Sequence, residues 1–213
     1  MADDSGLLLV DTDMLVLLTA SETLAQVVAL LGYSIDQVRR LPAAPHQVRK
    51  SSKFRETYGE PLLRRILDAV AAIPEINAPG DHEMLERFGN AVDAGEAQLF
   101  TIATNEPCAL LVTGDNRALR SVRAHHETLP LHQLARRVIC LEAVLLMLVR
   151  QRGAAAVRAA FSPVLGHRTL SVVLSANTVL ADDTCISAIR SYFSSLLAET
   201  GDLLYDPDHC GHR

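Results

Sequence analysis

Two short apolar runs, each ending in carboxylates and each followed by helical periodicity, constrain this chain more than any other feature. The first is Gly6-Leu7-Leu8-Leu9-Val10-Asp11-Thr12-Asp13, and the second is Ala109-Leu110-Leu111-Val112-Thr113-Gly114-Asp115-Asn116. Apolar runs of this length bounded by polar turn residues read as strands buried on both faces, as in a parallel sheet covered by helices. A third run, 138–141, leads into a helix over 142–151 that Gly153 ends. Strand and helix alternating in this way predict a three-layer α/β/α domain with a mainly parallel sheet. Open sheets of that kind place ligands beyond the carboxyl ends of their strands. Asp11 and Asp115 would then share one crevice. A carboxylate at the mouth of an apolar strand is costly unless something pairs with it. The plain alternative for each acid is a helix N-cap. Asp13 suits that role before a helix starting near Met14, and Asp11 suits a ligand role better.

Composition narrows the class. The chain has 213 residues, 49% of them hydrophobic, with 4% aromatics and no Trp, so the core is built from Leu, Val, Ile and Ala. The net charge of −5 does not announce a nucleic-acid binder. The acidic start, Met-Ala-Asp-Asp, lacks the basic region of a signal peptide, and no apolar run is long enough to span a membrane. Cys108, Cys140, Cys185 and Cys210 show no CxxC pairing and read as mostly buried thiols of a cytoplasmic protein.

Between the strands, 14–20 and 22–31 read as consecutive helices with Ser21 as N-cap of the second, 38–41 as a short strand before Pro42, and 73–76 as another. Helical patterns follow Pro45 and open at Pro61. Charge is uneven here. Between Arg39 and Arg65 stand eight basic residues, including both lysines of the chain, against two acids. A solvated pair of helix faces and a phosphate-contacting rim both account for this. The segment Asp93-Ala94-Gly95-Glu96-Ala97 opens another helix. A capping box explains Asp93 well and Glu96 less completely, because Gly95 implies close approach of the backbone to a neighbour. Arg117, Arg120 and Arg123 recur every third residue along the helix after Asp115 and share much of one face.

Strand-Asp11, then Asp93-Ala94-Gly95-Glu96-Ala97, then Leu-Leu-Val-Thr-Gly-Asp115-Asn, followed by strand and helix, resembles a PIN domain. The resemblance covers about residues 5–150. It implies a nuclease domain over 1–151 whose acids Asp11, Glu96 and Asp115 bind Mg²⁺ or Mn²⁺ and hydrolyse RNA, with DNA as the other substrate the metal chemistry admits. Asp93, Thr113 and Asn116 would orient those acids. Arg49, Lys50, Lys53, Arg117 and Arg120 would hold the nucleic-acid backbone. The family's toxin members imply a small antitoxin-like partner, and a second copy of the chain is the other partner to consider. One departure stands out. The family usually carries a further acid early in the helix after the second strand, where this chain reads His46-Gln47-Val48-Arg49-Lys50 and offers none before Glu56. Either the site works with three carboxylates, or the alignment is shifted, or activity is reduced.

The chain also runs past the usual end. Residues 152–213 are expected to form a mainly helical extension, packed on the core or on a partner subunit, because Leu170, Val172, Val173, Leu174, Val179, Leu180, Ile186, Ile189, Phe193, Leu196 and Leu197 are too many apolar groups to leave in water. The terminal Asp206-Pro207-Asp208-His209-Cys210-Gly211-His212 has a metal-binding composition, but a frayed end explains it more simply. Two other functions compete with the nuclease. Asp11-Thr12-Asp13 imitates the opening of a haloacid-dehalogenase-type phosphatase, although Leu15 and the lack of an acid soon after Asp115 count against it. A PIN-like binding or interaction module without catalysis is the stronger competitor.

Overall fold

The structure is a computed structural model that describes residues 6–77, 80–165, 170–171, 174 and 181–208. Its centre is a four-stranded, all-parallel sheet of β1 (Leu8–Val10), β2 (Val38–Arg39), β3 (Leu110–Val112) and β4 (Val138–Ile139), in the order β2-β1-β3-β4. The strands are short and nearly wholly buried, which is why they are apolar at successive positions instead of alternating. Val10 pairs with Val112, and Val112 with Ile139, so three strands end level with one another. The amide of Asp11 still donates to the Val112 carbonyl (3.0 Å), and that of Thr113 to the Ile139 carbonyl (3.0 Å). The order reverses between β1 and β3, where a parallel sheet opens a crevice at its carboxyl edge.

Helices α1 (Thr12–Ala20), α2 (Leu24–Leu30), α3 (Ala44–Lys50) and α4 (Ser52–Ala72) follow the first two strands. The helix α1 starts two residues earlier than its periodicity suggests, because Asp11 and not Asp13 is its N-cap: Asp11 Oδ1 accepts from the Asp13 amide at 2.8 Å. Ser21 likewise does not open α2. Its hydroxyl turns back to the Leu17 carbonyl (2.9 Å) and closes α1, while Thr23 precedes α2. The helix α4 is kinked at Gly59, whose φ of +67° suits a residue without a side chain, and Pro61 starts the second half. Arg40, 8% exposed, closes the far end of α4 by donating to the Val70 carbonyl (2.9 Å), and its backbone pairs with the 73–76 segment through a bridge to Glu75.

Helices α5 (His82–Gly89) and α6 (Ala94–Asn105) lead to β3, α7 (Asn116–Ala124) leads towards β4, and α8 (Leu141–Arg152) and α9 (Ala154–Ala160) follow it. The last helix, α10 (Asp182–Thr200), packs along α8 and against α7. Beyond it, Leu204 forms a parallel bridge with Val138, and the Tyr205 amide donates to the Val138 carbonyl at 2.8 Å. The end of the described chain thus widens the sheet at β4. Cys185, Ile189, Phe193, Leu196, Leu203 and Leu204 belong to the same buried cluster as the strands. Arg150 and Arg190 hold Asp208, and Arg190 also reaches Asp206 at 3.5 Å. Val172, Val173, Val179, Leu180, His209, Cys210 and His212 lie outside the described residues. Among the described residues, no single helix is long and apolar enough to cross a membrane.

Candidate functional site

The carboxyl edge of β1 and β3 carries a set of acids tied together by one threonine. The Thr113 hydroxyl donates to Asp11 Oδ2 at 3.0 Å and accepts from the Asp115 amide at 3.2 Å. The Gly114 amide adds a longer contact to Asp11 Oδ2 at 3.4 Å. Asp11 therefore receives donors on both oxygens, yet burial outweighs them and its carboxyl is pushed up to about 6, with the neighbouring Asp13 adding to the rise. Asp115 goes the other way. Burial works against its charge, but the amides of Ala118 and Arg117 and the Arg117 guanidinium (3.3 Å) hold it below the usual carboxylate range. It is the N-cap of α7.

Glu96 approaches the same edge from the first turn of α6. It forms a capping box with Asp93: Asp93 Oδ1 accepts from the amides of Gly95 and Glu96 (2.9 Å each), and the Asp93 amide donates to Glu96 Oε2 at 3.3 Å. The close approach expected at Gly95 is to Leu41, since a Cβ there would stand 3.1 Å from Leu41 Cδ1. The Glu96 carboxyl is raised to about 7, first by burial, then by Asp93, then by Asp115, and more weakly by Asp11. Glu96 therefore lies near enough to feel both aspartates, although each of the three acids also serves a helix N-terminus. Among the described residues, no three acidic, His or Cys side chains form a group that could hold a metal ion. The acids are neighbours through their fields. Acidic oxygens that raise one another's proton affinity form a donor set suited to a hard dication, which removes their repulsion.

On the other side of Asp11, Thr12 donates its hydroxyl to Gln47 Oε1 of α3 at 3.1 Å. The neutral amide of Gln47 thus occupies the stretch where the PIN resemblance leads one to expect an acid. The front of α4 lies close by: Tyr58 is pushed up to about 12, by burial first and by Asp13 second. Arg49, Lys50 and Lys53 project from these two helices as exposed cations, and among the described residues no ion pair involves them. Arg120, by contrast, is bound by Glu199 of α10.

A fourth acid of this edge escaped the sequence reading. Glu142 follows β4 by three residues, as Asp115 follows β3, and it is 2% exposed. Its Oε1 accepts from Asn116 Nδ2 at 3.0 Å, so Asn116 turns away from Asp11 and towards β4. The signal was present in the sequence as a third apolar run ending in an acid, 138–142, but helix periodicity alone had absorbed Glu142 as a first-turn residue.

Two concavities of about 310 and 300 Å³, one beside Leu30, Met147 and Tyr205 and one beside Thr19, Leu62 and Arg65, lie away from the acids. The class defined so far is a parallel α/β protein with acids at the carboxyl edge of its sheet. Comparison with known protein families, with curated proteins and with solved structures yields no match.

Proposed function

We propose that the chain is a PIN-like, divalent-metal-dependent ribonuclease whose site is Asp11, Glu96 and Asp115. The observation that carries this reading is the placement of Asp11 and Asp115 beyond two neighbouring parallel strands at the switch point of the sheet, joined through Thr113, with Glu96 near enough to feel their charge after burial and Asp93. Asp11 and Asp115, pinned through Thr113, offer oriented oxygens. Glu96, with a proton affinity near neutrality, loses its proton readily once positive charge arrives. Bound Mg²⁺ or Mn²⁺ would supply charge neutralisation and Lewis-acid activation of water and phosphodiester. Arg49, Lys50 and Lys53 hold the backbone phosphates beside the site, and their exposure and lack of ion pairs support that role.

Gln47 favours a second reading, a PIN-like module that binds RNA without cutting it. A neutral side chain beside Asp11 lowers the negative charge available to a dication, and with it metal affinity. The deciding experiment incubates the full chain with single-stranded RNA, single-stranded DNA and p-nitrophenyl phosphate in millimolar Mn²⁺. RNA cleavage that Asp11→Asn abolishes supports the nuclease. Binding without cleavage selects the module. Turnover of p-nitrophenyl phosphate alone would select a phosphatase, and cleavage of DNA alone would correct the substrate.

A further inference from the structure

Aromatic side chains are few in this chain and unevenly placed. Of its five phenylalanines, Phe88, Phe100, Phe161 and Phe193 are at most 1% exposed. Phe54, in the first turn of α4, is the exception and is half-buried. Tyr58, one turn on, is half-buried too, and the two ring centroids stand 6.0 Å apart with the planes inclined at 40°. Each residue packs on the core with part of its surface. Past the kink, α4 meets the core with Leu63, Ile66 and Val70, so packing alone does not call for flat rings on this helix. A tyrosine buried for packing finds a partner for its hydroxyl. The Tyr58 hydroxyl makes no hydrogen bond among the described residues, and the ring lies near enough to Asp13 to feel its charge. The pair therefore stands beside the Asp11 corner with ring surface left to water.

The charge around the rings selects the occupant. Lys53 precedes Phe54, and Arg49 and Lys50 close α3 just before it. All three are exposed, and among the described residues no ion pair involves them. Arg55 is engaged by Glu60 at 2.7 Å, and Glu56 is the one acid of the stretch 49–58 to set against the three. Free cations beside flat apolar surface suit a ligand that carries both phosphates and unpaired bases. A base held between two rings needs about 7 Å between their planes, twice a stacking contact, so this pair receives a base on its outer surface. We propose that Phe54 and Tyr58 form a ledge on which a base of single-stranded RNA stacks, while Arg49, Lys50 and Lys53 hold the phosphates beside it and lead the strand to the Asp11 corner. The proposal rests on the nucleic-acid reading above and narrows its substrate class. A duplex keeps its bases stacked inside and offers none to the ledge.

The test compares two labelled probes by fluorescence anisotropy on the full chain, without divalent metal so that nothing is cut. One probe is oligouridylate; the other is an abasic oligomer of the same length and the same sugar-phosphate backbone. The unaltered protein should bind oligouridylate about tenfold more tightly, the order of one stacked base. Phe54→Leu with Tyr58→Leu should erase that preference and leave the salt dependence of binding unchanged, because stacking releases no counterions and the phosphate contacts remain. Tyr58→Phe keeps the ring and should keep the preference. Equal affinity of the unaltered protein for the two probes overturns the ledge, a result that needs no variant to fold. A preference that survives the double leucine variant overturns it as well, since the base is then read elsewhere. Failure to bind either probe defeats the nucleic-acid reading itself, and the ledge with it.

Discussion

Each flank of the acidic edge offers three basic side chains close to the acids, and the fold pairs them differently. On the α7 flank the cations are engaged internally: Arg117 with Asp115, Arg120 with Glu199 of α10, and Arg123 laid against Gly201. On the α3–α4 flank Arg49, Lys50 and Lys53 face outward from helices that reach the Asp11 corner through Thr12–Gln47 and Tyr58–Asp13. The difference teaches that a count of basic residues measures charge, whereas the contacts made by each guanidinium decide whether it is available to a phosphate. One flank holds acids in place; on the other, among the described residues, Arg49, Lys50 and Lys53 make no ion pair.

The sharpest way to break this division is to remove the acid that lies between the flanks, bonded to Thr113 and next in sequence to Thr12. Asp11→Asn keeps the N-cap of α1, since Asn caps as well as Asp. It should lower Mn²⁺-dependent RNA cleavage by about 100-fold or more, and abolish the rise in melting temperature that Mn²⁺ gives by mass action. RNA binding through the α3–α4 flank should survive. Fluorescence anisotropy with labelled RNA and thermal melts with and without Mn²⁺ separate the two effects. Joint loss of both would mean that one region does both tasks.

The next comparison sets the flanks against each other. Replacing Arg49, Lys50 and Lys53 together by Ala should weaken RNA binding and flatten the logarithmic salt dependence by roughly two to three units. Arg120→Ala should leave that slope unchanged and cost at most about 1 kcal/mol of stability, because it removes a half-exposed ion pair. Equal slopes in the triple variant and the unaltered protein would make α3 and α4 a solvated face and nothing more.

The acidic flank has a pH signature of its own. The folded protein raises Glu96 from 4.5 to about 7 and Asp11 from 3.8 to about 6. A raised carboxyl binds its proton more tightly in the folded chain, so its contribution is fully present below the unfolded value and is lost as pH rises through the folded one. Stability without added metal should therefore fall between about pH 4 and 7, measured as the urea midpoint. Glu96→Gln should flatten the upper part of that fall, and Mn²⁺ should reverse it at pH 7. A profile that rises over this range, with or without the substitution, would show that the acids do not burden one another.

Much of this arrangement was legible in the chain. The apolar runs marked β1, β3 and β4 because strands buried on both faces need no polar alternation, and the residues just beyond them fell on the edge. The Asp93–Glu96 spacing marked α6 for the same reason that it caps it. Three features were not legible. Which of Asp11 and Asp13 caps α1 depends on the backbone at the strand's exit, and the helical periodicity from Met14 pointed to Asp13 where the structure uses Asp11. Glu142 reads as an ordinary first-turn residue until the packing that buries it is known. The pairing of Arg120 with Glu199 spans 79 positions and depends on where α10 docks, which no local periodicity encodes.

The smallest expected effect tests the one place where the flanks meet. Gln47 accepts the Thr12 hydroxyl beside Asp11 and is otherwise exposed. Glu has the same shape and can accept the same hydrogen bond, so Gln47→Glu changes charge with little change in packing. Without a dication the added carboxylate repels Asp11 and Asp13, and the melting temperature should drop slightly. With a dication the sign reverses. A unit charge held several ångströms from the ion in a partly solvated setting contributes about 1 kcal/mol, which is roughly fivefold in Mn²⁺ affinity. The melting temperature in millimolar Mn²⁺ should then exceed that of the unaltered protein, a crossing that a purely structural substitution would not produce. A uniform loss of stability at every Mn²⁺ concentration would place the ion out of reach of α3, confining it to the Asp11–Glu96–Asp115 side, and would show that the basic flank begins at Gln47.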